Sequence, residues 1–336
     1  MNIYDISAQA GVSIATVSRV LNGSDKVSQA TREKVMEVIE KNGYMPNAFA
    51  RSLSTNTMSQ VGILCSDVSD VYQSQAVFYL ERELRENSFG ALLCCTGHNL
   101  GEKEEYVKML LARNVDAIFF IGSHFIEESD EGNAYIRNTA EKVPVFLLNG
   151  ELKGKNIYSI FCDDTAGSRE ITNLIFDKGC NKPIFLYRIQ SQSGKRKERG
   201  FREACEAHGI MDLEKRVYSC PGPMAHTCQI LERIKESGVE FDSVVASDDE
   251  LAVGAVKYAF HNKRKIPEEF QIVGYNNSVL SSGSTPEVTT LDNKVEFMCT
   301  TAISQLFQLI HQKDLPSKTM FYGEIVEKET TKPSDF

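Results

Sequence analysis

The residues whose types and spacing suggest chemistry lie close to the start of the sequence. In Ser13-Ile14-Ala15-Thr16-Val17-Ser18-Arg19-Val20-Leu21-Asn22-Gly23, Val17, Val20 and Leu21 recur at i, i+3 and i+4, the spacing of one buried helical face. Ile14, Ala15, Ser18 and Arg19 are left on the outer face. Two apolar residues beside one arginine make a poor solvent-facing surface but a good major-groove surface. Ile14 and Ala15 can meet thymine methyls, and Arg19 can fork onto guanine O6 and N7. Ser13, Thr16 and Asn22 fall where phosphates would run, fixing register without reading sequence. The competing reading is a small helical domain with no nucleic-acid role.

The elements that must position these side chains can be read on either side. Asn2 is an N-cap with Asp5 three residues on, Ile3, Ile6 and Ala10 share a face, and Gly11 supplies a left-handed stop. Ser13 caps the second helix after a connection of only three residues, which makes a helix-turn-helix. Ser28 opens a third helix with Val35, Val38 and Ile39 as its core stripe, closed by Asn42-Gly43. Met45-Pro46-Asn47 breaks that helix, and Ala48–Leu53 is helix-prone but too short to stand alone.

From Val61 on, short apolar runs alternate with amphipathic stretches. Strands are expected at 61–65, 91–95, 117–121, 145–148, 157–161, 184–187, 243–246 and 272–275, and helices at 73–86, 102–113 and from near 165, 195, 227 and 249. Alternation of this kind implies parallel sheets covered on both faces, and two sheets fit the length better than one.

Composition narrows the class. With 42% hydrophobic and 25% charged residues the chain is globular. No apolar run approaches the length of a membrane span, and Met1–Ile6 shows no secretory pattern, so a cytoplasmic protein is expected. Nine cysteines, with no CxxC pair, read as structural thiols rather than a disulfide framework. Cys220, His226 and Cys228 lie close together but lack paired zinc-ligand spacing, and no metal or cofactor is expected. The net charge of −9 argues against nucleic acid until it is divided: residues 1–58 carry +1 and the remainder −10. No P-loop, HExxH or nucleophile elbow is present, which points away from an enzyme.

The segment Asp5–Leu53, containing GVSIATVSRVLNG and then VSQATREKVMEVIEKNGYMPNAFARSL, resembles the lactose-repressor/galactose-repressor (LacI/GalR) family without a gap. The resemblance implies a helix-turn-helix head at 1–45 and a hinge helix with linker at 46–58. The body, 59–330, would be a two-lobed α/β sensor of the periplasmic-binding-protein-like type I class, followed by a tail at 331–336. Lobe 1 would take about 59–160 and 292–318, lobe 2 about 161–291 and 319–330. In the family the hinge helix orders on operator DNA and wedges a leucine into the minor groove. Leu53 matches that leucine, with Asn47 and Ala50 nearby. Ser54 and Thr55 stand where relatives often carry Lys or Arg.

The same resemblance implies an effector site at strand ends facing the cleft. Asp67, Tyr72, Asn149, Asp249 in SDDELAVGA and Asn276 in GYNNS match positions of that kind; Asp249 as a helix cap and Asn276 as a turn are the plain alternatives. The family's cleft arginine is replaced here by Lys197, a point charge without a planar fork. Arg196 is a possible substitute, and four basic residues at one helix start raise the option of an anionic ligand such as a sugar phosphate. These readings lead to a homodimeric transcription regulator, a repressor, that binds a pseudo-palindromic operator under control of a sugar or sugar phosphate. The rivals are control by a protein co-regulator or a nucleobase or nucleoside, and a solute-binding module without a regulatory role.

Overall fold

The computed structural model describes residues 2–21, 24–43 and 58–333, and the chain divides into two compact units, Met1–Gln60 and Val61–Phe336. In the head, α1 is Ile3–Ala10, α2 Ile14–Leu21 and α3 Gln29–Lys41. The capping box forms in full: Asn2 Oδ1 accepts from the backbone of Tyr4 and Asp5, and Asp5 Oδ2 accepts from Asn2 N at 2.8 Å. Gly11, at φ 62°, ends α1. Ile6, Ala10, Val17, Val20, Val35 and Ile39 form the buried core. Arg32 reaches from α3 to the carbonyls of Val20 and Ser24, at 3.4 and 2.8 Å, and so ties α3 to the end of α2.

The body begins with β1 Gln60–Cys65, α4 Val71–Glu86, β2 Gly90–Cys95, α5 Leu100–Ala112, β3 Ala117–Ile121, α6 Ala134–Ala140, β4 Val145–Leu148 and β5 Ile157–Cys162. There follow α7 Asp164–Asp177, β6 Pro183–Tyr187, α8 Gln192–Ala207, β7 Val217–Ser219, α9 Ala225–Glu236, β8 Ser243–Ala246, α10 Asp249–His261, β9 Gln271–Tyr275, α11 Val279–Gly283 and β10 Thr289–Asp292. The last elements are α12 Val295–Ile310, β11 Lys318–Phe321 and β12 Glu324–Val326. They make two six-stranded sheets, ordered β11-β5-β4-β3-β1-β2 and β12-β10-β9-β8-β6-β7. Both are mostly parallel, with β12 antiparallel to β10.

The central strands of each sheet are buried on both faces, which is why they are continuous apolar runs. In lobe 1, Val61, Ile63, Phe119 and Phe146 pack under α4 and α12. Their neighbours Leu64, Ile118, Phe120 and Leu147 point to the other face, where α5 and α6 cover them. Lobe 2 repeats the scheme, with Ile184, Val244 and Ile272 on the α9–α10 side and Phe185, Val245 and Val273 on the α7–α8 side. The close approach of α7 and α8 depends on Gly200, where a Cβ would lie 2.2 Å from the Thr165 carbonyl oxygen.

Two boundaries differ from the sequence reading. The last passage between lobes follows Phe321 rather than falling at 319, because Lys318–Phe321 pairs in parallel with Ser159–Cys162 of lobe 1. The tail does not begin at 331: Thr330 and Thr331 are buried, the Thr330 hydroxyl donates to Ile272 O at 2.6 Å, and Lys332 N donates to Gln271 Oε1 at 3.0 Å. The cysteines are all free thiols, and no metal-binding group of His, Cys, Asp and Glu occurs among the described residues. No described helix is long and apolar enough to cross a membrane.

Candidate functional site

On the head, Ser13 caps α2, its Oγ accepting from Thr16 N at 3.2 Å and lying 2.9 Å from the Thr16 hydroxyl. Val17 and Val20 point into the core. Ser13, Ile14, Ala15 and Arg19 are exposed, and Thr16 and Ser18 are half-buried. An isoleucine 39% exposed beside an arginine is the outer face that the sequence spacing requires. Asn22, Asn47, Ala50 and Leu53 lie outside the described residues.

In the body, the carboxyl ends of the two sheets face one another across a cleft, the place where open α/β folds take ligands. An inner cavity of about 120 Å³ is lined by Gly122 and Ser123 after β3, Asn149 after β4, Arg188 after β6, Ser247 and Asp248 after β8, and Asn276 after β9. Tyr72 and Gln73 of α4 and Ser193, Gly194 and Lys197 of α8 complete it, with Asp70, His124, Ile189 and Ser191. Asn149 and Asn276 hold φ values of 60° and 97°, a region that costs a non-glycine residue about 1–2 kcal/mol. Gly122, at φ 102°, lets the His124 ring lie close; a Cβ there would be 2.7 Å from it.

The electrostatics divide into paired charges and unpartnered neutral groups. Arg188 pairs with Asp248 at 3.4 Å and Glu250 at 3.0 Å and donates to Gly222 O at 2.8 Å. Lys197, buried, donates to Ser247 O at 2.8 Å and stands 3.7 Å from the centre of the Tyr275 ring. Burial raises the Asp70 carboxyl above its ordinary range, and nearby Asp248 adds to the effect. Burial, with the nearby His98 and Lys103, drives the His124 imidazole down to about 3, so it is neutral at physiological pH. Three buried atoms on this cavity have no hydrogen-bond partner in the protein: Tyr72 Oη, His124 Nε2 and Asn149 Oδ1.

Of the effector positions read from sequence, Tyr72, Asn149, Lys197 and Asn276 line the inner cavity, and three do not. Asp67 is exposed, its Oδ1 accepting from Ser69 N at 2.8 Å, on a second, outer cavity. Asp249 has its carboxylate turned inward, accepting from Ser278 N at 2.6 Å and the Thr290 hydroxyl at 2.5 Å. It borders only a void of about 20 Å³. Its neighbour Asp248, which caps α10 through Leu251 N, takes the cavity-facing place. Arg196 spans the lobes to Glu151 at 2.9 Å, stacked over Phe161. Lys195 likewise pairs with Glu128 of lobe 1, while Lys197 and Arg199 bond within lobe 2, to Ser247 O and the Thr165 hydroxyl, so all four basic residues at the start of α8 hold protein partners.

Sequence reasoning missed Arg188, Asp248, His124 and Asp70. Arg188 carried a usable signal, since it directly follows the apolar run that forms β6.

Two family descriptions match the sequence. Residues 2–47 match the bacterial regulatory proteins of the lacI family, and residues 173–331 match the periplasmic binding protein-like domain. An HTH-type transcriptional regulator of Lachnoclostridium phytofermentans is 42% identical, over 98% of this chain and 99% of that one. The crystal structure of the lac repressor dimer bound to operator and the anti-inducer ONPF shares the fold, with a TM-score of 0.88 at 21% identity, covering 98% of each chain. A complex of the transcriptional regulator CelR with cellobiose aligns with a TM-score of 0.71 at 23% identity, covering 98% of this chain and 99% of that one. The head and the two-lobed body define a DNA-binding transcriptional regulator, and the relatives are regulators, not enzymes. The chain belongs to the LacI family.

Proposed function

We propose that this regulator is a homodimeric repressor that binds a pseudo-palindromic operator and is released or tightened by a neutral polyhydroxylated effector, a sugar. Ser13, Ile14, Ala15, Thr16, Ser18, Arg19 and Asn22 would face the major groove and its phosphates. Asn47, Ala50 and Leu53 would serve the minor-groove hinge.

The effector reading rests on one observation. Tyr72 Oη, His124 Nε2 and Asn149 Oδ1 are buried on the inner cavity without partners, a costly arrangement unless a ligand completes it. Hydroxyl groups, which both donate and accept, suit all three. Both cations that line the cavity, Arg188 and Lys197, already hold protein partners, so a phosphate would have to displace them. That favours a sugar over a sugar phosphate. The cellobiose complex of a structural neighbour supports the same class.

A thermal-shift screen with neutral sugars, sugar phosphates and nucleosides tests the reading. A ligand at 100 times its Kd should stabilise the protein by about 2.7 kcal/mol. The expected hit is a neutral sugar that also changes operator affinity. A response confined to phosphorylated sugars or nucleosides overturns the effector class.

A further inference from the structure

The inner cavity, about 120 Å³, is smaller than the roughly 300–1,000 Å³ of most small-molecule sites. It does not stand alone. An outer cavity of about 560 Å³ adjoins it, and Asp70, Gln73, Arg188 and Ile189 line both. Beyond that shared wall the outer cavity is lined from lobe 1 by Asp67, Ser69 and His98 and from lobe 2 by Pro221, Gly222, Pro223 and Glu250.

The topology explains this position. His98 follows β2 and Pro221 follows β7, and these strands are the outer edges of their sheets. The inner cavity sits over the central strands β3, β4, β8 and β9 and is bounded by the α8 segment that spans the lobes. A ligand seated there extends toward the β2–β7 edge, where the cleft widens. The two cavities also differ in chemistry. The inner one offers unpartnered polar atoms from three side chains. The outer one offers the His98 ring, two prolines and the acids Asp67 and Glu250, surfaces that fit the CH face and rim hydroxyls of a sugar ring.

We infer that the effector is a glycoside of two linked units, one ring held in the inner cavity and the second lying in the outer cavity between Ser69 and Pro223. This inference rests on the neutral-sugar reading and specifies it. Arg188 lies at the junction, its guanidinium held by Asp248, Glu250 and the Gly222 carbonyl, so it forms a fixed part of the wall that both cavities share.

Isothermal titration of the full-length protein separates the possibilities. The probes are glucose, galactose and xylose against cellobiose, maltose, lactose and xylobiose. Two plugging variants, Ser69→Trp in lobe 1 and Pro223→Trp in lobe 2, change exposed positions that border only the outer cavity; thermal melting checks that each folds. The expected result is a disaccharide that binds at least tenfold more tightly than its own monosaccharide. Each plug should remove that advantage and leave monosaccharide binding within twofold. A monosaccharide that binds as tightly as any disaccharide, with both plugs silent, overturns the two-ring effector and leaves the sugar reading standing. A disaccharide preference that survives both plugs overturns the placement of the second ring. Binding of sugar phosphates alone overturns both readings together.

Discussion

Tyr72, His124 and Asn149 each bring one unpartnered atom to the inner cavity, and the tyrosine gives the cleanest test of what that means. Its hydroxyl is buried without a partner and its acidity is strongly suppressed by burial. Deleting it removes an unmet hydrogen-bonding demand from the empty protein and a contact from the filled one. Tyr72→Phe should therefore leave the effector-free protein at least as stable, while weakening effector binding by about tenfold, the worth of one such bond. Melting curves and calorimetric titration measure the two quantities; lost stability with unchanged affinity would mean that the hydroxyl serves the fold. Asp249 makes the opposite case. Burial pushes its carboxyl up to about 6, against the pull of its bonds from Thr290 and Ser278, whereas in the unfolded chain it titrates near 3.9. Between about pH 4 and 6 the native state holds the extra proton, so stability conferred by the protonated form falls as pH rises through that window and is gone above it. Asp249→Asn should gain stability relative to the parent from pH 4 to 6, levelling off at up to a few kcal/mol, and should keep its effector response. Urea unfolding across that range checks it; a difference independent of pH would place the titration elsewhere.

Among the elements, α8 joins the lobes. Gln192 exchanges hydrogen bonds with the Glu151 backbone at 3.0 and 3.1 Å, Ser193 N donates to Ser123 Oγ at 3.0 Å, and Arg196 and Lys318 both pair with the Glu151 carboxylate. Glu151→Gln removes both ion pairs but keeps the backbone contacts; Lys318 lies in β11 of lobe 1, so of the two only the Arg196 pair crosses between the lobes. A partly exposed pair is worth about 1 kcal/mol or less, so effector association should quicken by up to about fivefold in stopped-flow measurements. Equal rates in parent and variant would free cleft opening from this clasp. The elements also show what the sequence could and could not convey. Ala117–Ile121 and Val145–Leu148 were readable because burial on both faces leaves no room for polar residues. Lys318–Phe321 and Val217–Ser219 lie at or near sheet edges, partly exposed, and carry no such run. In the site, Asn149 and Asn276 were found because strand ends are local features. The choice between Asp248 and Asp249 depends on which residue caps α10, a shift of one position that turns a side chain by about 100°. The neutralisation of Arg196 and Lys195 involves acids some 45 and 67 residues away in the chain, a relation that no local pattern contains.

At the scale of the whole molecule, the proposed homodimer would carry one head per subunit, so a recognition-helix substitution would count twice on a two-fold operator. Arg19→Ala should cost roughly 1–3 kcal/mol per half-site and relax preference at one base pair in each. Affinities for operators altered in one or both half-sites report this, and an equal loss on every sequence would make Arg19 a phosphate contact. The body carries a different constraint, set by the left-handed backbone at Asn149 and Asn276. Few side chains tolerate those angles, with glycine, asparagine and aspartate the least penalised. Two of the walls of the proposed effector cavity are thus open to few substitutions, whatever ligand is being selected. A lineage changing its effector from this starting point would have to work through Ser123, Ser193, Ser247 and the loops at the cleft edge, where the backbone is ordinary. Drift in ligand preference would then begin at these serines and at the rim, and reach Asn149 and Asn276 last.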